Sequence, residues 1–227
     1  MTKREIIKVA FIRSLPVMCS YLFLSIAYGM LMEESGFGWY YSLPISMIVY
    51  TGAFQFVLIT FLKNGGSLIT VALTATLMNS RQSFYSLTFL KDFKKMGKKK
   101  LYMIHTLTDE TYAVNCSLDL PEKEKEEIMF LIALFSHVSW MAGTVAGGLL
   151  GQMIPFDLTG IDFCMTALFV IIFMDQWGKT REHVPALSGL CAGVCCLILF
   201  GADRFMLPAL LAVSGVLLVT GRKEVRS

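Results

Sequence analysis

Apolar runs as long as a bilayer is thick recur along this chain, and they constrain its fold more than any motif. They fall at about Val9–Met32, Tyr40–Leu62, Ile128–Met153, Ile161–Trp177, Val184–Phe200 and Phe205–Gly221. A helix needs ~20 mainly apolar residues to cross hydrocarbon. Lipid offers no partner for a backbone N–H or C=O, so a spanning segment must satisfy its own, as a helix does. Of 227 residues 55% are hydrophobic and 16% charged, with a mean hydropathy of +0.62. The sequence therefore predicts an all-α membrane protein, with residues 1–227 forming one integral membrane domain. The expected architecture is a polytopic helical bundle of about six full spans plus a broken or re-entrant helix around 67–90. The net charge of +3 belongs to basic loops, as in proteins that keep lysine and arginine on the cytoplasmic side, and not to a nucleic-acid surface.

The re-entrant element is expected from Ser67–Leu90, which is apolar at both ends and carries Asn79, Ser80, Arg81 and Gln82 near its middle. A guanidinium at bilayer depth costs a few kcal/mol even on lenient scales, so such a residue reads first as a functional site. The competing reading is an arginine that snorkels to the headgroups. Charge bookkeeping favours a hairpin here. Lys3, Arg4 and Lys8 place the N-terminus in the cytoplasm. If 9–32 exits and 40–62 returns, a full crossing by 67–90 would put Lys91, Lys94, Lys95, Lys98, Lys99 and Lys100 outside. A turn near Asn79–Arg81 keeps them inside. The basic loop 178–183 and the tail 222–226 belong inside too, so both termini are expected in the cytoplasm.

Elsewhere, Gln55 inside the second run requires a partner helix, a water or a ligand. Leu101–Leu120, broken by Thr108, Asp109, Glu110 and Asn115, is too polar to face lipid. It reads as an interfacial helix, a second re-entrant element or a cavity-lining span. Gly143, Gly147 and Gly151 recur every fourth residue, as do Gly189 and Gly193; such spacing lets helix backbones approach closely. Cys19, Cys164, Cys191, Cys195 and Cys196 lie inside apolar runs without metal-ligand spacing, which suits packing. His137 stands mid-span without an HExxH or a Ser-x-Gly elbow. No enzymatic motif, cofactor or metal site is expected.

Five segments carry a resemblance. NSRQSFYSL at Asn79–Leu87 resembles the Asn-x-Arg-His-x-x-Tyr signature of the AzlC family of branched-chain amino acid transporters. YTGAFQF at Tyr50–Phe56 is similar to that family's Tyr-x-Gly-Ala-x-Gln-Phe stretch. TDETYA at Thr108–Ala113, DFCMTALF at Asp162–Phe169 and the Pro16–Gly29 portion fit as well. Gln82 departs from the pattern, standing where the family usually has His, which removes a titratable imidazole. The resemblance implies a secondary transporter in the bacterial cytoplasmic membrane, acting with a small AzlD-like membrane protein. It implies a substrate site drawn from Gln55, Asn79, Arg81, Gln82, Tyr85, Asp109 and Glu110. Arg81 or a half-helix N-terminus would take the substrate carboxylate, and Asp109 or Glu110 the ammonium or a coupling proton. The alternative of a different class is a membrane substrate-binding subunit of a vitamin importer, which would need a soluble ATPase.

Overall fold

The computed structural model describes residues 1–153, 183–201 and 208–216 and the single positions 170, 173, 174, 177, 178 and 205, without the side chains of Arg81, Ser83, Phe84 and Pro185. The expected spans Ile161–Trp177 and Phe205–Gly221, the DFCMTALF segment, Cys164, most of the basic loop 178–183 and the tail lie wholly or largely outside the described residues. Among those described, all regular structure is α-helical. The helices are α1 (Lys3–Glu34), α2 (Trp39–Ile48), α3 (Gly52–Asn64), α4 (Leu68–Thr88), α5 (Leu90–Lys95), α6 (Lys99–His105), α7 (Asp109–Cys116), α8 (Glu122–Met153) and α9 (Val184–Phe200). A further helical stretch covers 208–216. The chain divides into two compact units, Met1–Lys63 with Asn79–Ile161, and Asn64–Met78 with Asp162–Ser227.

The first unit is built on α1 and α8, both long and apolar enough to cross a membrane. At 32 residues each, they rise ~48 Å at 1.5 Å per residue, so their charged ends project past the hydrocarbon. Thr2 caps α1: its hydroxyl accepts from the Glu5 amide while Glu5 Oε2 accepts from the Thr2 amide at 2.7 Å, which satisfies two groups the helix leaves orphaned. Ser14, Val17, Tyr21, Ser25, Tyr28 and Met32 form the buried stripe of α1, whereas Phe11, Ile12, Leu15 and Phe23 are exposed. Small and polar residues face the protein and large apolar ones face outward, as lipid requires.

The two helices run parallel. The N-terminal amine pairs with Glu124, Phe11 meets Phe135 with ring centroids 5.8 Å apart, and Gly29 lies against Gly148. The glycine stripe explains the contact. A Cβ on Gly147 would stand 2.8 Å from Ile26 C and Cα, and one on Gly143 would meet Ser25 and, at 3.0 Å, Leu22 O. Gly143, Gly147 and Gly151, expected to pack helices, do so within the chain, against α1.

Two corrections follow. The break expected near Asn79–Arg81 is not there: α4 is one uninterrupted helix from Leu68 to Thr88, and α5 begins at Leu90. Its polar side chains turn back on their own helix, Thr76 Oγ1 donating to Ala72 O at 2.8 Å and Ser86 Oγ to Gln82 O at 3.1 Å, and no Gly or Pro interrupts it. The second apolar run, expected as one full span, is instead two short helices. From Trp39 beside Gly148, α2 passes Ser46 beside Thr144 to Tyr50 beside His137. The chain then turns at 49–51, and Phe56 in α3 meets Tyr28 at 5.7 Å, back at the level of Gly29 and Gly148.

Residues 99–118 make a second hairpin from the opposite end. Lys99 lies over the Phe130 ring, His105 reaches His137, and the returning Leu118 joins Ile6, Phe93 and Ile128. Of the three roles open to Leu101–Leu120, the structure selects the re-entrant one. Lys95 Nζ pairs with Glu122 at 2.6 Å and Lys125 with Asp92 at 3.2 Å, so the lysine cluster shares an end with Met1. The hydrogen bond to Glu122 raises the Lys95 pKa.

In the second unit, α9 exposes Leu187, Leu190, Val194, Leu197 and Ile198, and a Cβ on Gly189 or Gly193 would meet open space. Pro185 falls in its first turn, where the missing N–H costs no hydrogen bond.

Candidate substrate site at the junction of two hairpins

The tips of the two hairpins meet between α1 and α8. Local sequence explains each tip. Residues 44–52 combine Pro44, the β-branched Val49 and Thr51, and Gly52; proline gives no amide and β-branched residues resist the helix. Only a glycine clears the indole here, since a Cβ on Gly52 would already stand 3.0 Å from Trp140 Cη2. Gln55 holds the turn. Its Nε2 donates to Val49 O at 2.5 Å, and its Oε1 accepts from Trp140 Nε1 at 2.9 Å. Gln55 is wholly buried, so these bonds replace the water it cannot reach.

The lower tip is built by threonines. Thr106 closes α6, its Oγ1 donating to Tyr102 O at 2.8 Å. Thr108 caps α7, its amide donating to Thr111 Oγ1 at 2.9 Å. Asp109 and Glu110 then occupy the first turn, where the helix dipole favours negative charge. Tyr21 of α1 donates to Glu110 Oε2 at 2.7 Å and lies 2.5 Å from Thr108 Oγ1.

Four aromatic rings seal the junction. Tyr21 sits edge-on to Trp140 at 5.4 Å and to Tyr50 at 6.2 Å, while Tyr50 tilts over His137 at 4.4 Å. All four are at least 95% buried. His137 Nε2 donates to Ser46 O at 3.4 Å and Nδ1 stands 3.0 Å from the Tyr102 hydroxyl. His105 Nε2 donates to Met47 O at 3.0 Å. Among the described residues the Tyr50 and Thr51 hydroxyls meet no partner in hydrogen-bonding geometry in this buried place, and stranding such a group costs about 1–3 kcal/mol. They stand where α3 begins, beside first-turn amides that a helix leaves free.

Of the residues expected at a substrate site, the structure brings Gln55, Asp109 and Glu110 to this junction. Tyr85 reaches the same hairpin lower down, stacked on Tyr112 at 4.5 Å. Asn79 and Gln82 are half-buried on α4, and the Arg81 side chain lies outside the described residues. Sequence reasoning missed Tyr21, Tyr102, His105, His137 and Trp140. Their signal was spacing: Tyr21 falls on the Ser14–Val17–Ser25–Tyr28 stripe, and His137 and Trp140 share a helix face three residues apart.

The family model for the AzlC protein matches residues 16–154. The chain belongs to the AzlC family. It is 38% identical over 211 residues to the branched-chain amino acid transport protein AzlC of Bacillus subtilis, covering 92% of this chain and 83% of that one. An uncharacterized membrane protein of Helicobacter pylori strain J99 is also 38% identical, over 89% of this chain and 90% of its own. The inner membrane protein YgaZ of Escherichia coli is 31% identical over 80% and 78%. No solved structure matches the chain. AzlC is a transport family, and this chain is accordingly a membrane protein of that kind. Its family matches run through both hairpins and the α1–α8 seam.

Proposed function

We propose that this AzlC-family chain moves branched-chain amino acids across the bacterial cytoplasmic membrane as a secondary exporter, the large subunit of a pair with a small AzlD-like membrane protein. It is not an enzyme in this reading, it uses no cofactor, and its six spans leave both termini in the cytoplasm. The observation that carries it is the convergence of two half-helix N-termini, at Gly52 and Asp109, on the buried Tyr21–Tyr50 pair. Broken helices at mid-membrane supply what a zwitterion needs. The start of α3, with the unpaired Tyr50 and Thr51 hydroxyls, suits a carboxylate. Glu110, oriented by Tyr21, suits an ammonium. Phe54, only 3% exposed, and the aromatic rings suit an aliphatic side chain. Arg81 and Asn79 would complete the path along α4.

The test is exchange of labelled leucine by purified protein in liposomes, with and without the small partner. Glu110→Gln, which keeps shape and removes charge, should abolish exchange while the protein still folds. Full exchange by folded Glu110→Gln protein would remove the ammonium site. Equal rates without the partner would remove the second subunit.

A further inference from the structure

We infer that His137 and His105, seated on the carbonyl end of half-helix α2, form a single proton-binding site at the junction, and that this proton is the ion coupled to transport. The coupling part rests on the transport reading above; the proton site stands on its own geometry.

A continuing helix would give the carbonyls of Ser46 and Met47 to the amides of residues 50 and 51. Because α2 stops at Ile48, His137 Nε2 takes Ser46 O and His105 Nε2 takes Met47 O. A carbonyl only accepts, so both Nε2 atoms carry hydrogen. The remaining nitrogen of neutral His137, Nδ1, therefore accepts from the Tyr102 hydroxyl. A proton can be added there without breaking either bond. It goes onto Nδ1, the Tyr102 hydroxyl rotates from donor to acceptor, and Nε2–H stays on Ser46 O. The carbonyl end of a helix carries about half a negative charge, which a proton on the imidazole seated there would offset. The ring centroids stand 6.0 Å apart, close enough for a charge on one imidazole to oppose a charge on the other.

The groups facing the pair are few. Tyr102 comes from α6 and Tyr50 from the tip of the upper hairpin, its ring 4.4 Å from His137. Glu110 of α7 lies beyond Tyr50, hydrogen-bonded to Tyr21 of α1. Protonation places a positive charge behind Tyr50 of the upper tip, on the rings that fasten α2 to α6 and α8. The proton thus tightens the same clasp a substrate must pass.

The chain has three histidines, so single His→Gln variants assign each ring in ¹⁵N-histidine spectra of the detergent-solubilised protein. The expected result is one ring of the His105/His137 pair titrating between about pH 5 and 8, with the titration altered by replacing the other. A pair that stays neutral down to about pH 5 overturns the site. For coupling, protons moved per leucine are counted in pyranine-loaded liposomes. The His105→Gln/His137→Gln protein, whose amides still reach the carbonyls, should show that ratio fall towards zero. An unchanged ratio overturns the inference, as does Glu110→Gln losing protons while still binding leucine. Leucine transport by wild type without proton movement refutes the coupling and leaves the transport reading standing. A wild type that moves no leucine refutes the transport reading, and the spectra alone decide the proton site.

Discussion

Gly147→Ala adds one methyl group to the α1–α8 seam, and the structure sets what it meets. The new Cβ would stand 2.8 Å from Ile26 C and Cα, closer still to the Ile26 carbonyl oxygen, whereas ordinary contact begins near 3.4 Å. All three atoms are backbone, so no side chain can swing aside. The helices must separate by more than 0.6 Å (3.4 − 2.8), and the neighbouring approaches at Gly29 and Gly143 loosen with them. Overpacking of this kind costs about 1–3 kcal/mol, a large share of a typical stability of ~5–15 kcal/mol.

Thermal unfolding in detergent, followed by loss of the monodisperse peak, should show a fall on the order of 5 °C for a protein of this size. Gly193→Ala is the control, because a Cβ there meets none of the described residues within 4 Å. That variant should stay within about 0.5 kcal/mol of wild type, as exposed substitutions do. A Gly147→Ala protein as stable as wild type, or a Gly193→Ala protein destabilised as much, would refute the seam as described.

Gln55→Leu leaves Trp140 Nε1 and one bond to Val49 O unmet in a buried place, so it should cost about 1–3 kcal/mol in the same unfolding assay. Arg81→Gln should abolish leucine binding by folded protein and Arg81→Lys weaken it in part, because lysine keeps the charge but loses the planar fork; wild-type binding by Arg81→Gln, read by calorimetry, would take Arg81 out of the site.

Much of the fold was legible because length and composition fix it. The α1 and α8 runs exceed the thickness of a bilayer, and the spacing of Gly143, Gly147 and Gly151 announced a close helix contact. The break was misplaced for a physical reason. Asn79, Ser80, Arg81 and Gln82 looked like an interruption, yet polar side chains do not stop a helix whose backbone ladder is intact. The turn comes instead at the β-branched Val49 and Thr51 before Gly52, past a Pro44 that α2 accommodates, and these residues lay in a run that average hydropathy described as an ordinary span. The site was half legible. Asp109 and Glu110 stood out as charges in an apolar context, and Gln55 as an amide at bilayer depth. Tyr21, His137 and Trp140 did not, because each looks unremarkable alone and gains its role from partners 85 or more residues away.

The parallel pairing of α1 and α8 decides the topology more firmly than charge counting does. The chain leaves α1 at one end of the pair and enters α8 at the other, so the residues between them make one net crossing. Neither hairpin supplies it. The α2–α3 element enters at the C-terminal end of α1 and turns back at 49–51, and α6–α7 enters at the N-terminal end of α8 and turns back at 106–108. We predict that α4 supplies it: its 21 residues rise ~31 Å, about the thickness of a hydrocarbon core. With the N-terminus in the cytoplasm, Lys98 is cytoplasmic, and a cysteine replacing Lys98 should resist impermeant thiol reagents in intact cells yet react after permeabilisation. Asn64, at the end of α3, lies on the opposite side, and a cysteine there should react from outside. The chain's own cysteines are first replaced by serine or alanine, since Cys19, Cys116, Cys191 and Cys195 are exposed. Protection of both new cysteines would mean that α4 does not cross, and labelling of Lys98→Cys alone from outside would invert the N-terminus.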